Sequence, residues 1–210
     1  MGNRWMGLVA PLVEIQRASV VDEVLPETAP VLRGVHDPQR GISALSKDNR
    51  LERFLTPYRG PCWLGVHGGA GETVLAELLG GMACQHRWPL RPANEDEETP
   101  TVVFLVARQN KRGLDAASHA ARDWASGAHP DVELQGLVLV ADAPGKTPRS
   151  LAGQTRVVSG GVPRTWVVPW IEELRLTGAV DWESLAREPR KVLTVLGEAV
   201  DEISFERTSR

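Results

Sequence analysis

Trp63-Leu64-Gly65-Val66-His67-Gly68-Gly69-Ala70-Gly71-Glu72-Thr73-Val74-Leu75 decides the reading of this chain. An apolar run leads into a glycine-rich turn, and the turn leads into the first apolar positions of a helix. A strand followed by such a turn and a helix start is the architecture of a phosphate-binding loop, because glycines let the backbone curl while the N–H groups at the helix start converge on an anion. One position contradicts that chemistry. Glu72 stands where a phosphate-binding loop places its lysine.

Working outward, the strand is expected over Pro61 to Val66. The helix is expected from Thr73 to Ala83, with Val74, Leu75, Leu78, Leu79 and Met82 on its buried side and Gly80-Gly81 weakening its end. Residues 87–100 are polar, and the acidic run Glu95-Asp96-Glu97-Glu98 reads as a surface loop. Thr101 to Ala107 is a continuous apolar run, as in a strand covered on both faces. A helix over Lys111 to Ala125 carries Leu114, Ala117, Ala121 and Trp124 on one side. A third strand spans Leu134 to Val140, residues 148–159 suit a short helix, and Thr165 to Val168 make a fourth strand. Val192, Val195, Leu196, Ala199, Val200 and Ile203 follow helical spacing, with Pro189 suited to that helix's first turn.

This alternation predicts an α/β fold: a parallel, doubly wound sheet flanked by helices. The expected division is an irregular N-terminal arm over 1–58, the α/β domain over 59–178, and a C-terminal helical segment over 179–210 packed on it. In the arm, Val20-Val21, Val24-Leu25 and Val31-Leu32 are short apolar pairs, and residues 42–55 show weak helical spacing. A packed leader is favoured over a partner-docking arm because its apolar residues are few.

Composition bounds the function. The 210 residues are 42% hydrophobic, enough for a core, and the net charge of −3 argues against binding nucleic acid or a membrane surface through bulk charge. Cys62 and Cys84 form neither a CxxC nor a set with histidines, so two buried thiols in a reducing cytoplasm are expected rather than a disulfide or zinc framework. Met6 to Val13 is a short apolar run broken by Pro11, unlike a secretory leader. No GxSxG or HExxH occurs. Seven tryptophans are expected mostly in the core; Trp166 and Trp170, with Pro169, read as strand-end packing in preference to an exposed aromatic patch.

His67-Gly68-Gly69-Ala70-Gly71-Glu72-Thr73 resembles the deviant phosphate loop of the ParA/MinD class of P-loop ATPases, written KGGxGK[ST]. The apolar run ending in Asp142-Ala143-Pro144-Gly145 resembles that class's metal-binding and switch segment, DTPAG or DxxG. More narrowly, the blocks Gly68–Ala76, Val106–Gly127, Gly136–Gly145 and Gly160–Trp170 are similar to an uncharacterised actinobacterial family tied to plasmids and conjugative elements. In that family a glutamate at the position of Glu72 is usual. The resemblance implies a P-loop NTPase-like fold, a cytoplasmic setting, a protein partner or homodimer, and a role in plasmid maintenance or conjugation.

It also implies a nucleotide site. His67, Gly68, Gly69, Ala70, Gly71, Glu72, Thr73, Asp142, Gly145 and Lys146 would surround ATP or GTP, and Thr73 and Asp142 would hold Mg²⁺ and carry any catalysis. The departures oppose this. His67 and Glu72 replace both loop lysines, and a unit-charge contact at ~4 Å with an effective dielectric of ~20 is worth about 4 kcal/mol before screening. Reversing its sign is worse than losing it. Several roles are open to Glu72. It caps the helix start; or it pairs with Lys146 or Arg149 and closes an empty phosphate site; or it joins Asp142 and Thr73 around a divalent cation. In a fourth, Lys146 or a partner's arginine restores nucleotide binding. His67 reads as a phosphate contact or, more simply, as a turn histidine bonded to backbone. Arg108 and Lys111 stand at the ligand end of the sheet, as anion contacts or as surface charges. The expectation is a non-catalytic adaptor or assembly component, with an active Mg²⁺-dependent ATPase or GTPase as the alternative.

Overall fold

The computed structural model describes residues 31–92 and 99–208. Most of the expected arm (1–30) and the acidic run at 95–98 lie outside the described residues.

A mostly parallel sheet forms the centre, flanked by helices. Its strands are β1 (Leu32–Arg33), β3 (Cys62–Gly65), β4 (Met82–Ala83), β6 (Thr101–Arg108), β7 (Val132–Val140) and β8 (Arg164–Val168). Their spatial order is β1-β8-β7-β6-β3-β4, with every pairing parallel except β1 on β8. A separate parallel pair joins β2 (Arg53–Leu55) to β5 (Trp88–Leu90). The helices are α1 (Glu72–Leu79), α2 (Lys111–Ala125), α3 (Arg149–Gly160), α4 (Glu172–Thr177) and α5 (Arg187–Thr208).

The continuous apolar run of β6 reflects burial on both faces: Val102 to Ala107 are all inaccessible to solvent. Alternate residues feed two cores. Val103, Leu105 and Ala107 pack beneath α2, with Leu114, Ala117 and Trp124. Val102, Phe104 and Val106 face the α1/α5 side, with Leu75, Leu193 and Leu196. On that second side Trp63 stacks on Phe104 at 4.8 Å and Phe104 meets Trp166 at 5.9 Å. The row is possible because Gly136 lies between. The β6/β7 register shifts after Val103, so that Phe104 pairs with Gly136. Gly136 has φ +154°, and any side chain there would strike the Arg164 carbonyl and the Trp166 ring. The bulge therefore needs glycine. Trp166 is accordingly core, as expected.

Several sequence expectations need correction. α1 stops at Leu79, not Ala83, and Met82 belongs to strand β4 rather than to a helical stripe. The cause is the pair Gly80 (φ +74°) and Gly81 (φ +106°), which turns the chain back so that Gly81 lies against the Pro61 carbonyl and the Trp63 indole. The segment 87–100 is not all surface loop: Trp88 is fully buried in β5 and stacks on His129 at 4.4 Å. Residues 42–55 form no α-helix, only a 3-10 turn at Lys47–Asn49 and strand β2. From residue 31 onward the leader is ordered into the structure through β1 and β2. Its anchor is a buried cluster in which Arg50 Nε lies 3.2 Å from Asp123 Oδ1, while His129 Nε2 donates to Asp123 Oδ2 at 2.8 Å. Burial, opposed by the hydrogen bond and charge of Asp123, holds the His129 pKa below its ordinary value. Among the described residues no helix is long and apolar enough to cross a membrane.

Candidate functional site

Strand β3 has β4 on one side and β6 on the other, and the chain then continues outward through β7 and β8. The order reverses between β3 and β6, and crevices form at such points outside the carboxyl ends of the strands. The glycine turn leaves β3 there, and Arg108 to Asn110 leave β6 beside it. A cavity of about 440 Å³ occupies this place, lined by the glycine turn at His67 to Gly69, by Arg108 and Asn110, and by Asp142 and Trp170 from the next two strand ends. A second cavity of about 290 Å³ adjoins it, sharing Gly69, Arg108, Ile171 and Leu174, and runs beneath α1 toward Leu78, Val140 and Leu193.

The turn is built from its own backbone and two side chains. Ala70 N–H bonds the His67 carbonyl at 3.3 Å, and Gly71, with φ +109°, starts α1. His67 uses both ring nitrogens on backbone: Nε2 accepts the Arg108 N–H at 3.0 Å, so Nδ1 carries the proton and donates to the Gly68 carbonyl at 3.0 Å. The simple reading of His67 as a turn histidine therefore holds. Arg108 ties two loops together, donating from Nε to the Gly69 carbonyl at 3.1 Å and from Nη1 to the Ala141 carbonyl at 3.2 Å. Asn110 caps α2 by accepting the Gly113 N–H at 2.8 Å. Lys111 pairs with Asp115 on the surface, away from the turn.

Glu72 turns inward. Only 8% of it is exposed, its carboxylate lies against Gly65, and among the described residues the basic side chain recorded beside it is His86, whose Nδ1 is 3.6 Å from Oε1. That contact is too long for a hydrogen bond; the same Nδ1 donates to the Gly65 carbonyl at 2.7 Å. Of the roles open to Glu72, pairing with Lys146 or Arg149 is therefore not the one the structure shows. Both cations are exposed and line neither cavity. Beneath the other face of β3, Cys62 and Cys84 are both buried and free. Contact with the Cys62 thiol, then burial, then the charges of Cys62 and Glu72 push the Cys84 pKa up, so the thiol stays protonated.

Of the expected site residues, His67, Gly68, Gly69 and Asp142 share the larger cavity, while Gly71, Glu72 and Thr73 line the smaller one. Ala70 is fully buried. Gly145 and Lys146 are exposed and outside both. Among the described residues no group of three or more His, Cys, Asp or Glu side chains is placed to hold a metal ion. Sequence reading missed Arg112, Arg175, Ile171 and Leu174, all brought in by helices whose relation to the turn only the fold creates, and His86, 14 positions beyond Glu72. Trp170, expected in strand-end packing, is instead half-buried at the cavity wall with Arg175 over its ring at 6.0 Å.

Residues 61–193 match a family described as a family of unknown function (DUF6668), and the chain belongs to that family. Comparison with curated proteins and with solved structures returns no match.

Proposed function

We propose that this member of the family has a P-loop NTPase-like fold related to the ParA/MinD class, that its phosphate site is closed from within, and that it works as an adaptor or assembly component rather than as an NTPase. One observation carries the reading: the carboxylate of Glu72, at the position of the missing lysine, is buried against Gly65 on the inner side of the turn. The parallel strand order and the strand–turn–helix at the switch point support the fold relationship.

The residues present do not fit a magnesium nucleotide. No lysine lines either cavity, Arg108 has Nε and Nη1 engaged by the Gly69 and Ala141 carbonyls, and Arg112 and Arg175 reach the larger cavity from α2 and α4 rather than from the turn. Glu72, packed inward against Gly65, supplies no cation where a triphosphate would need one. These engagements disfavour the alternative of an active ATPase or GTPase, with Thr73 and Asp142 as its metal ligands. A role in plasmid maintenance or conjugation through a protein partner, a homodimer included, and the cytoplasmic setting rest on the four sequence blocks alone.

Calorimetric titration of ATP and GTP with Mg²⁺ into the wild type and Glu72→Lys tests the reading. Silence from the wild type and binding by the lysine variant are expected. Micromolar binding by the wild type would overturn it.

A further inference from the structure

The two cavities at the strand ends differ in chemistry but share a wall. The larger is polar and cationic: Arg108, Arg112 and Arg175 converge on it, against one carboxylate, Asp142. Of the other nearby carboxylates, Glu72 packs on Gly65 and lines the smaller cavity, and Glu172 accepts the Trp170 indole N–H. The smaller cavity is lined chiefly by aliphatic side chains, among them Leu75, Leu78, Val140, Val168 and Leu193. Its volume of about 290 Å³ is roughly twice the ~150 Å³ of an apolar protein cavity that holds one benzene. Ile171 and Leu174, with Arg108, form the boundary that both cavities share.

We propose that these cavities form one binding site for a small anionic amphiphile, a single carboxylate or phosphate head on an apolar body. The head sits between Arg112 and Arg175, with Arg108, held by the Gly69 and Ala141 carbonyls, forming the wall beside it, and the body lies beneath α1. Charge complementarity selects the head: arginine forks suit carboxylate and phosphate oxygens, and Arg112 and Arg175 have no carboxylate partner among the described ion pairs. The body gains from leaving water for an aliphatic wall, and a few placed polar groups at one end fix its direction. A free phosphate or acetate would use only half the site. A triphosphate has too much charge for the apolar half. The site shares His67 to Gly69 and Gly71 with the turn, but Arg112, Arg175 and the aliphatic side chains come from the helices and strand ends around it, so the inference does not depend on the turn being a closed phosphate loop.

Decanoate is a suitable probe, titrated by calorimetry below its micelle concentration, with acetate, inorganic phosphate and Mg-ATP as comparisons. Saturable one-to-one binding of decanoate is expected, at least tenfold tighter than acetate or phosphate. Arg112→Gln combined with Arg175→Gln changes two exposed side chains and should weaken decanoate at least tenfold without moving the melting temperature. Leu78→Trp fills the apolar half and should abolish decanoate binding while leaving the weak binding of phosphate unchanged. Absence of saturable decanoate binding by the folded wild type overturns the proposal. So does decanoate binding that both variants leave intact, or acetate or Mg-ATP binding as tightly as decanoate. Mg-ATP binding would also overturn the closed-loop reading, whereas failure of decanoate alone would leave that reading standing.

Discussion

The Glu72 carboxylate lies 3.6 Å from His86 Nδ1, on the inner side of the glycine turn and against Gly65. Glu72 is the first residue of α1 and His86 follows β4, reaching this place through two consecutive non-glycine residues in left-handed conformation, Gln85 (φ +48°) and His86 (φ +62°). Such a pair costs free energy and persists where surrounding contacts enforce it. Here the 2.7 Å bond from His86 Nδ1 to the Gly65 carbonyl supplies one of those contacts.

The space for Glu72 exists only because residue 65 lacks a Cβ, which would overlap the carboxylate. Gly65→Ala should therefore destabilise the protein by about 1–3 kcal/mol, the usual cost of overpacking. In a Glu72→Ala background the same change should cost less, with a coupling above ~0.5 kcal/mol. Urea unfolding of the four-protein cycle measures this, and strictly additive effects would place Glu72 elsewhere.

Asn110 holds the first turn of α2 where the sheet meets the larger cavity. Asn110→Ala should cost about 1 kcal/mol, seen as a lower denaturation midpoint at unchanged slope. Lys111→Ala, which removes only an exposed pair to Asp115, should cost less than about half as much.

The buried His129 makes stability depend on pH. Its pKa in the folded state lies below the unfolded value of about 6.5. Between those two values the unfolded chain binds the extra proton, so stability rises with pH there. The contribution is complete above about pH 6.5 and is lost as pH falls through the folded pKa, with a slope of at most ~1.4 kcal/mol per pH unit. Unfolding titrations across this range should show the slope, and His129→Gln should flatten it. An unchanged slope in that variant would assign the effect to another group.

Gly136→Ala combines an unfavourable backbone angle with a collision against the Arg164 carbonyl and the Trp166 ring. A loss of about 3 kcal/mol or more is expected, with a changed near-ultraviolet circular dichroism signal as the Trp63–Phe104–Trp166 row is disturbed. A near-neutral substitution would mean that the bulge can relax.

Much of the central architecture was legible. The expected helix Lys111 to Ala125 matches α2, and the strands expected at 101–107, 134–140 and 165–168 appear within a residue or two. Their signals were local: unbroken apolar runs for buried strands, and helical spacing of Leu114, Ala117, Ala121 and Trp124 for α2. The short strands β1, β2, β4 and β5 were not legible, because two or three residues carry no periodicity and their pairing depends on distant partners. Likewise, Met82 fits the apolar spacing of α1, and only the turn at Gly80-Gly81 removes it from the helix.

The sequence by itself determined the alternation of strands and helices, the glycine turn after β3, and an acidic residue, Glu72, at the start of α1. These are properties of neighbouring residues, set by backbone freedom, periodicity and side-chain charge. Only the tertiary structure decided where Glu72 points, that His86 rather than Lys146 is its ionic neighbour, and that Arg112 and Arg175 flank one cavity. Those outcomes depend on the order in which strands join the sheet: placing β6 beside β3 brings α2 to the glycine turn, and placing β8 beside β7 brings α4 over it. Spacing along the chain encodes no such distance.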